Sequence, residues 1–365
     1  MTALSEGAFR RLIVMKNILV LFGGKSSEYE VSLRSAFAVI TNMPKDKYNP
    51  VLMGITKDGK WFIYEDDINL IPDNKWLDGK CTPAAISTDF GEKCVNVFRA
   101  DGIEKISVDA VFPVLHGKNG EDGTVQGLLE LAGLPYVGCR TLASAMCMDK
   151  AMTNMTADYA QIAQAKWLAV SKWDYAENKE KFADDCVNYL GLPVFIKPAN
   201  AGSSVGISKA KTKEDIYKAM DIAFAEDNKV VAEENIEGRE VECAVLGNEK
   251  PIASVIGEIL PANEFYDYEA KYIDAASKLC IPAELSEEKS EEIRAQAIKA
   301  YKALGCTGLS RVDFFVRHSD GAVLLNEINT LPGFTSISMY AKLFGAYGIP
   351  YGELVDRLIN LALER

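Results

Sequence analysis

The chain has 365 residues, 48% of them apolar and 25% charged, which is ordinary for a globular protein and long enough for two or three cores. Its net charge of −12 argues against non-specific binding to nucleic acid or anionic membrane, and no apolar run reaches the length of a membrane span. Eight dispersed cysteines without a Cys-x-x-Cys pair, and only two histidines, argue against a disulfide frame or a zinc site and for reduced thiols in a cytoplasmic protein.

Along the chain, Leu12-Ile-Val-Met15 is cut by Lys16 and lacks a small-residue cleavage site. Residues 1–14 therefore read as a poorly ordered leader, not a signal peptide. Asn17–Phe22 is an apolar strand ending at Gly23-Gly24, and Ser26-Ser27 are placed to cap a helix with Val31, Leu33, Phe37 and Ile40 inward. Val108–Leu115 predicts a second buried strand, ending at His116-Gly117, with a helix over about 123–133. Strand–glycine–helix units of this kind predict a parallel α/β sheet, with ligands beyond the carboxyl ends of its strands. Gly24–Glu28 and His116–Asp122 are then candidates to face one crevice. Gly23-Gly24-Lys25-Ser26 is not a P-loop, because Leu19 stands where that motif needs glycine.

Residues 140–190 read mainly as helix. A strand over Leu192–Pro198 delivers Lys197 from an apolar run, where an ammonium needs an anion. The following Gly202-Ser203-Ser204-Val205-Gly206 loop has the glycines and hydroxyls that bring donors close to a phosphate. Another strand ends at Ala232-Glu233-Glu234, residues 240–260 read as further β-structure, and 286–304 as an amphipathic helix. Next, Arg311-Val-Asp313 and Asn326-Glu327-Ile-Asn329 flank turn chemistry at Arg317–Gly321 and predict a hairpin. Alternation gathers Arg311, Asp313, Glu327 and Asn329 on one face. Two carboxylates and an amide oxygen are hard ligands that suit Mg²⁺ shared with phosphates. A final helix is predicted over Tyr351–Leu363. The whole reads as three closely packed α+β lobes, over 15–138, 139–233 and 234–365.

Taken in order, Gly23–Leu33, His116–Gly123, Met148-Asp-Lys150, Lys197, Gly202–Gly206, Tyr266–Tyr272, Arg311–Asp313 and Asn326–Gly333 strongly resemble the D-alanine–D-alanine ligases of the ATP-grasp superfamily. The resemblance runs from about residue 15 to the C-terminus. It implies an ATP-grasp fold behind an N-terminal α/β lobe, ATP as co-substrate, and two Mg²⁺ ions, for which Mn²⁺ can substitute. It also implies that Lys150, Lys197, Ser203, Ser204 and Lys271 contact ATP phosphates, with Glu233, Glu234, Ile236, Glu240, Asn326 and Glu327 completing the nucleotide site. Asp313, Glu327 and Asn329 would be the metal ligands. Glu28 would receive the ammonium of the first D-alanine, with Ser203 and Tyr272 in its network. Arg311 and the Gly333 N–H would stabilise the oxyanion, and His116, Lys271, Ser338 and Met339 would line the substrate subsites.

The expected product is D-alanyl-D-alanine, made through an acyl phosphate for peptidoglycan, and the expected assembly is a homodimer through apolar surface of the first lobe. The resemblance implies that Tyr272 favours an amine acceptor and places Met339 beside the second subsite, where an apolar neighbour favours a methyl side chain over a hydroxyl. Ile337 departs from the family's Thr-Ser-His-Ser pattern. A D-alanine–D-serine ligase of glycopeptide resistance and a non-catalytic nucleotide-binding module stand as alternatives.

Overall fold

Three sheets hold the strands of the computed structural model, which describes residues 15–260, 278–335 and 337–365. The first starts from Lys16–Gly23 (β1), in which Ile18 to Phe22 are all fully buried, as a strand covered on both faces requires. Tyr48–Ile55 (β2) and Ala110–Pro113 (β7) flank β1 in parallel. Beyond β2 the sheet runs antiparallel through Trp61–Tyr64 (β3), Cys81–Ile86 (β4), Cys94–Arg99 (β5) and Gly102–Ser107 (β6). The parallel lobe expected from the sequence is thus parallel only around β1. Short turns such as Ala100-Asp101 cannot carry the crossover that a parallel pair needs. The first helix, Tyr29–Asn42, begins later than its serines suggested. Glu28 is its N-cap residue, and Ser26 Oγ instead accepts the Glu28 N–H at 3.1 Å.

The second sheet is antiparallel, in the order β10-β9-β11-β8, from Trp167–Ser171 (β8), Val194–Pro198 (β9), Ser208–Ala210 (β10) and Lys229–Glu234 (β11). β8 interrupts the stretch 140–190 that reads as helix, because pairing with β11 outweighs local propensity there. The third sheet contains Gly238–Gly247 (β12), Ile252–Leu260 (β13), Lys278–Cys280 (β14), Gly308–Arg317 (β15) and Val323–Asn329 (β16). Its β15–β16 hairpin sets Asp313 opposite Glu327 and Arg311 opposite Asn329. The register shifts just after Asp313, which leaves Asn326 as the extra residue of a bulge. Such bulges re-aim neighbouring side chains.

The helix Met339–Tyr347 was not foreseen, whereas the closing helix falls on Tyr351–Leu363 as expected. Its buried stripe, Leu354, Val355, Leu358, Ile359 and Ala362, has helical spacing. That stripe joins the core of the first lobe, packing with Ile18, Leu33 and Val39 in one cluster. Asp356 adds polar ties at the edge, accepting from Lys47 Nζ at 2.8 Å and Tyr48 Oη at 2.7 Å. All eight cysteines are free thiols.

Candidate active site

A cavity of about 870 Å³ opens where the three sheets meet. From the first lobe it takes Glu28, at the start of the first helix, and His116, just past β7. The middle of the chain supplies Lys150, Ser203 and Ser204. Arg311, Glu327, Asn329, Gly333, Ser338 and Met339 come from the last lobe. Eleven residues singled out in the sequence therefore share one cavity.

Local chemistry explains how each group is presented. Asp149 caps the helix Lys150–Tyr159 by accepting from Ala151 N at 3.1 Å and Met152 N at 3.2 Å. Lys150 thus stands at a helix N-terminus, where an anion is favoured twice over. Its Nζ donates to Ala201 O at 2.7 Å, fixing it beside the glycine–serine loop. That loop is pinned at its start by Asp227 Oδ2, which accepts from Asn200 N at 2.8 Å and Asn200 Nδ2 at 2.9 Å. Ser203 and Ser204 hold left-handed backbone conformations, with φ of 51° and 60°. For a residue with a side chain this costs roughly 1–2 kcal/mol. The bent loop brings Ser203 Oγ onto Glu28 Oε1. Gly117 faces the same carboxylate at φ +66°, and a Cβ there would lie 2.9 Å from Glu28 Oε2.

Arg311 is clasped by carboxylates. Its Nε and Nη2 donate to Asp313 at 2.7 and 2.6 Å, and Glu242 Oε2 lies 3.1 Å from Nε. Burial opposes the charge, but Asp313 and Glu242 outweigh it and raise the guanidinium further above its usual range. Asn329 Nδ2 also donates to Asp313, at 3.0 Å. Lys197 sits on β9 with its Nζ 2.5 Å from Glu233 Oε2, in a pair that is largely buried. Burial lowers its pKa, yet Glu233, Glu327 and Glu240 together raise it above the ordinary lysine value. Asn154 Nδ2 donates to the other oxygen of Glu233 at 3.2 Å.

Lys197, Glu233, Glu234, Ile236, Glu240, Asp313 and Asn326 do not line the cavity itself. The first five form a second group along β9, β11 and the start of β12. Glu234 Oε1 accepts from Lys166 N at 2.8 Å, tying the end of β11 to the residue before β8. Lys271 and Tyr272 lie outside the described residues. His116 is buried, with Nδ1 3.0 Å from Leu331 O and Nε2 3.0 Å from Ser35 Oγ. Burial lowers its pKa to about 4, so the ring is neutral.

Two carboxylates escaped the sequence reading. Glu121 lies within the quoted His116–Gly123 motif and accepts from Gly117 N at 3.0 Å. Burial, and then the Glu28 carboxylate, push its pKa well above the ordinary range. Glu242 reaches the cavity because β12 pairs with β15, setting it opposite Asp313. A carboxyl in the loop after a parallel strand is the signal by which Glu121 could have been found; nothing local marked Glu242.

Among the described residues, no three His, Cys, Asp or Glu side chains form a cage able to hold a metal alone. Asp313, Glu327 and the Asn329 amide oxygen are hard donors, but too few to fill a coordination sphere. That suits an ion sharing its ligands with water and phosphate oxygens. Together the cavity gathers a lysine at a helix N-terminus, the carboxylates of Glu28 and Glu121, and the Arg311 guanidinium.

Residues 17–139 match the family described as D-ala D-ala ligase N-terminus, and residues 157–360 the one described as D-ala D-ala ligase C-terminus. The chain is 51% identical to a D-alanine--D-alanine ligase of Acetivibrio thermocellus over 364 residues, with 96% of each chain covered. It is 50% identical to that of Caldicellulosiruptor bescii over 348 residues, covering 95% of each. Among solved structures, the VanG D-Ala:D-Ser ligase of Enterococcus faecalis superposes with a TM-score of 0.88 at 42% identity, over 96% of this chain and 100% of that one. The D-alanine-D-alanine ligase of Coxiella burnetii gives 0.84 at 37% identity, over 96% and 94%. With both halves matched and such relatives spanning nearly its whole length, the chain belongs to the D-alanine–D-alanine ligase family, with the ATP-grasp fold.

Proposed function

We propose that this protein joins two molecules of D-alanine to D-alanyl-D-alanine at the expense of ATP, supplying peptidoglycan precursor in the cytoplasm. The observation that carries this reading is the convergence of Glu28, Ser203, Arg311 and Gly333, from all three parts of the chain, on one cavity. Near-full-length relatives at about 50% identity bear the same activity in their names.

In the first step, the carboxylate of one D-alanine attacks the γ-phosphorus of ATP, and ADP leaves to give an acyl phosphate. Glu28 holds that substrate's ammonium. Lys150 and Lys197 hold the phosphates, with Lys197 turning from Glu233 toward them. Glu233, Glu234, Ile236 and Glu240 take the adenosine, and Asn326 and Lys271 complete the nucleotide site. In the second step, the free amine of the other D-alanine attacks the acyl carbon, the carbon–oxygen bond to phosphate breaks, and phosphate departs with the proton that the nitrogen sheds. Arg311 and the Gly333 N–H stabilise the tetrahedral oxyanion, and a single such donor is worth about 3–4 kcal/mol. The carboxylate of the second substrate lies at Ser338, before the N-terminus of the helix Met339–Tyr347. Ser203 on Glu28 closes the loop and keeps water from the acyl phosphate.

Asp313, Glu327 and Asn329 would hold two Mg²⁺ ions, or Mn²⁺ in their place. When bound, these supply charge stabilisation at the transferring phosphoryl group. The separate sheets support lobes over 15–138, 139–233 and 234–365, and a homodimer is the expected assembly. Met339 is buried, with its Cε packed over Gly257, and would give the acceptor subsite an apolar wall. Such a wall leaves a serine hydroxyl unpaired, which disfavours D-serine by roughly 1–3 kcal/mol.

The test is product identity by mass spectrometry, with Mg-ATP and equal D-alanine and D-serine. D-alanyl-D-alanine is the expected product. Predominant D-alanyl-D-serine would overturn the acceptor assignment, and no dipeptide from a sample that binds ATP would leave only a nucleotide-binding module.

A further inference from the structure

His116 lines the cavity, yet both its ring nitrogens are spent on the protein. A carbonyl oxygen can only accept, so the 3.0 Å contact with Leu331 O fixes the proton on Nδ1. The neutral ring then offers Nε2 as an acceptor, and Ser35 Oγ, 3.0 Å away, donates to it. The same hydroxyl oxygen accepts the Phe334 N–H at 3.2 Å. Ser35 is fully buried and His116 only 4% exposed, so water does not compete for these bonds. Other groups near the ring do not displace this arrangement. Glu121 Oε1 lies 3.8 Å from Nδ1, beyond hydrogen-bond reach.

The two ends of this chain are Leu331 and Phe334, which enclose Pro332-Gly333. Proline has no N–H, so Gly333 contributes the amide that lies between the two fixed points. Ser35 comes from the first helix and His116 from the loop after β7, both in the first lobe, while the clamped turn follows β16 in the last. Oxyanion donors act through fixed placement before charge develops, so what holds the turn matters to the barrier.

We infer that Ser35 and His116 act as a pair of positioning residues, clamping the Leu331–Phe334 turn at both ends so that the Gly333 N–H meets the reacting carbonyl. In this account His116 does not contact substrate. The inference rests on the ligase reading and on the Gly333 N–H as an oxyanion donor.

The test uses the full-length enzyme, with D-alanine-dependent phosphate release resolved into kcat and KM and with thermal unfolding measured alongside. Ser35→Ala should lower kcat about 10-fold, part of the 10²–10³ that one oxyanion donor supplies, with KM for ATP and the first D-alanine within twofold. Ser35→Cys, a weaker donor, should fall between. His116→Asn places an amide N–H where Nδ1 stood and keeps the Leu331 bond, so it should retain more kcat than His116→Gln. Because the two residues act through one turn, Ser35→Ala with His116→Gln should lose little more than His116→Gln alone.

A Ser35→Ala enzyme with unchanged kcat would overturn the clamp. So would losses that multiply in the double variant, or a His116→Asn effect falling on KM for the first D-alanine. A wild type with no D-alanine-dependent phosphate release would overturn the ligase reading itself, and the inference with it.

Discussion

Arg311→Lys separates the charge of Arg311 from its shape. The wild-type guanidinium forks onto Asp313 at 2.7 and 2.6 Å and lies 3.1 Å from Glu242, with its side chain 18% exposed. Among the described residues, its hydrogen bonds leave through Nε and Nη2, and Nη1 is the donor that the proposed oxyanion role requires. Lysine keeps the positive charge between Asp313 and Glu242, so the buried carboxylates are not abandoned. The loss of about 3–5 kcal/mol that follows removal of a buried partner is then largely avoided. A lysine cannot grip Asp313 with two parallel bonds and still offer a donor to the cavity. One charge-assisted bond goes, worth roughly 1.5–3 kcal/mol, together with the oxyanion contact, worth about 3–4 kcal/mol of barrier. The expected variant folds, unfolds thermally within a few degrees of wild type, binds ATP normally, and loses about 10²–10³ in kcat. Phosphate release and calorimetry on the same preparation give both numbers. A kcat within threefold of wild type would refute Arg311 as an oxyanion donor. A collapse in stability with little catalytic effect would make it a purely structural counter-charge.

Glu327→Ala should raise the Mg²⁺ concentration giving half-maximal turnover by tenfold or more, and chelation followed by Mn²⁺ should restore wild-type activity; a metal titration that does not move rejects Glu327 as a ligand. Ser203→Ala should loosen the loop from Glu28 and let water reach the acyl phosphate, so phosphate released per dipeptide should rise above one; a strict one-to-one ratio rejects the latch. Met339→Gln should shift relative kcat/KM from D-alanine toward D-serine by roughly 10-fold, read by competition between the two amino acids. His116 is held neutral by burial, with a pKa lowered to about 4. The unfolded chain binds that proton nearer pH 6.5, so stability from this site is complete above about 6.5 and falls as pH drops toward 4. Denaturant midpoints across that window should fall less steeply for His116→Asn, and parallel curves would contradict the assignment.

The parts of this protein legible in its sequence are those where local pattern and tertiary demand agree. The β15–β16 hairpin and the helix Tyr351–Leu363 are of this kind, since alternation and helical spacing were enough to find them. The antiparallel strands β3 to β6 were not legible. They are short, and β6 is exposed along nearly all its length, so little periodicity marks them. The helix Met339–Tyr347 escaped for the opposite reason: Met339, Tyr340, Ala341, Leu343 and Phe344 are all buried, leaving too broad an apolar face to show a helical stripe. In the site, Lys197 announced its need for an anion because an ammonium in an apolar strand is costly. Glu242 gave no such sign. One carboxylate on a strand resembles an ordinary solvated face until β15 is laid beside it. Ser35 was equally silent, since its partners lie 81 and 299 residues away.

The packing of the helix Tyr351–Leu363 into the first lobe has a consequence for how the chain is made. On the ribosome the seven-stranded sheet emerges well before the helix that covers it. Until that helix is released, an apolar surface centred on Ile18, Leu33 and Val39 lacks its natural cover, and the nascent lobe is then most open to chaperones and to aggregation. Leu354→Ala or Leu358→Ala would weaken that late closure. Their first symptom should be poor yield of soluble protein, even where the enzyme that does fold turns over normally.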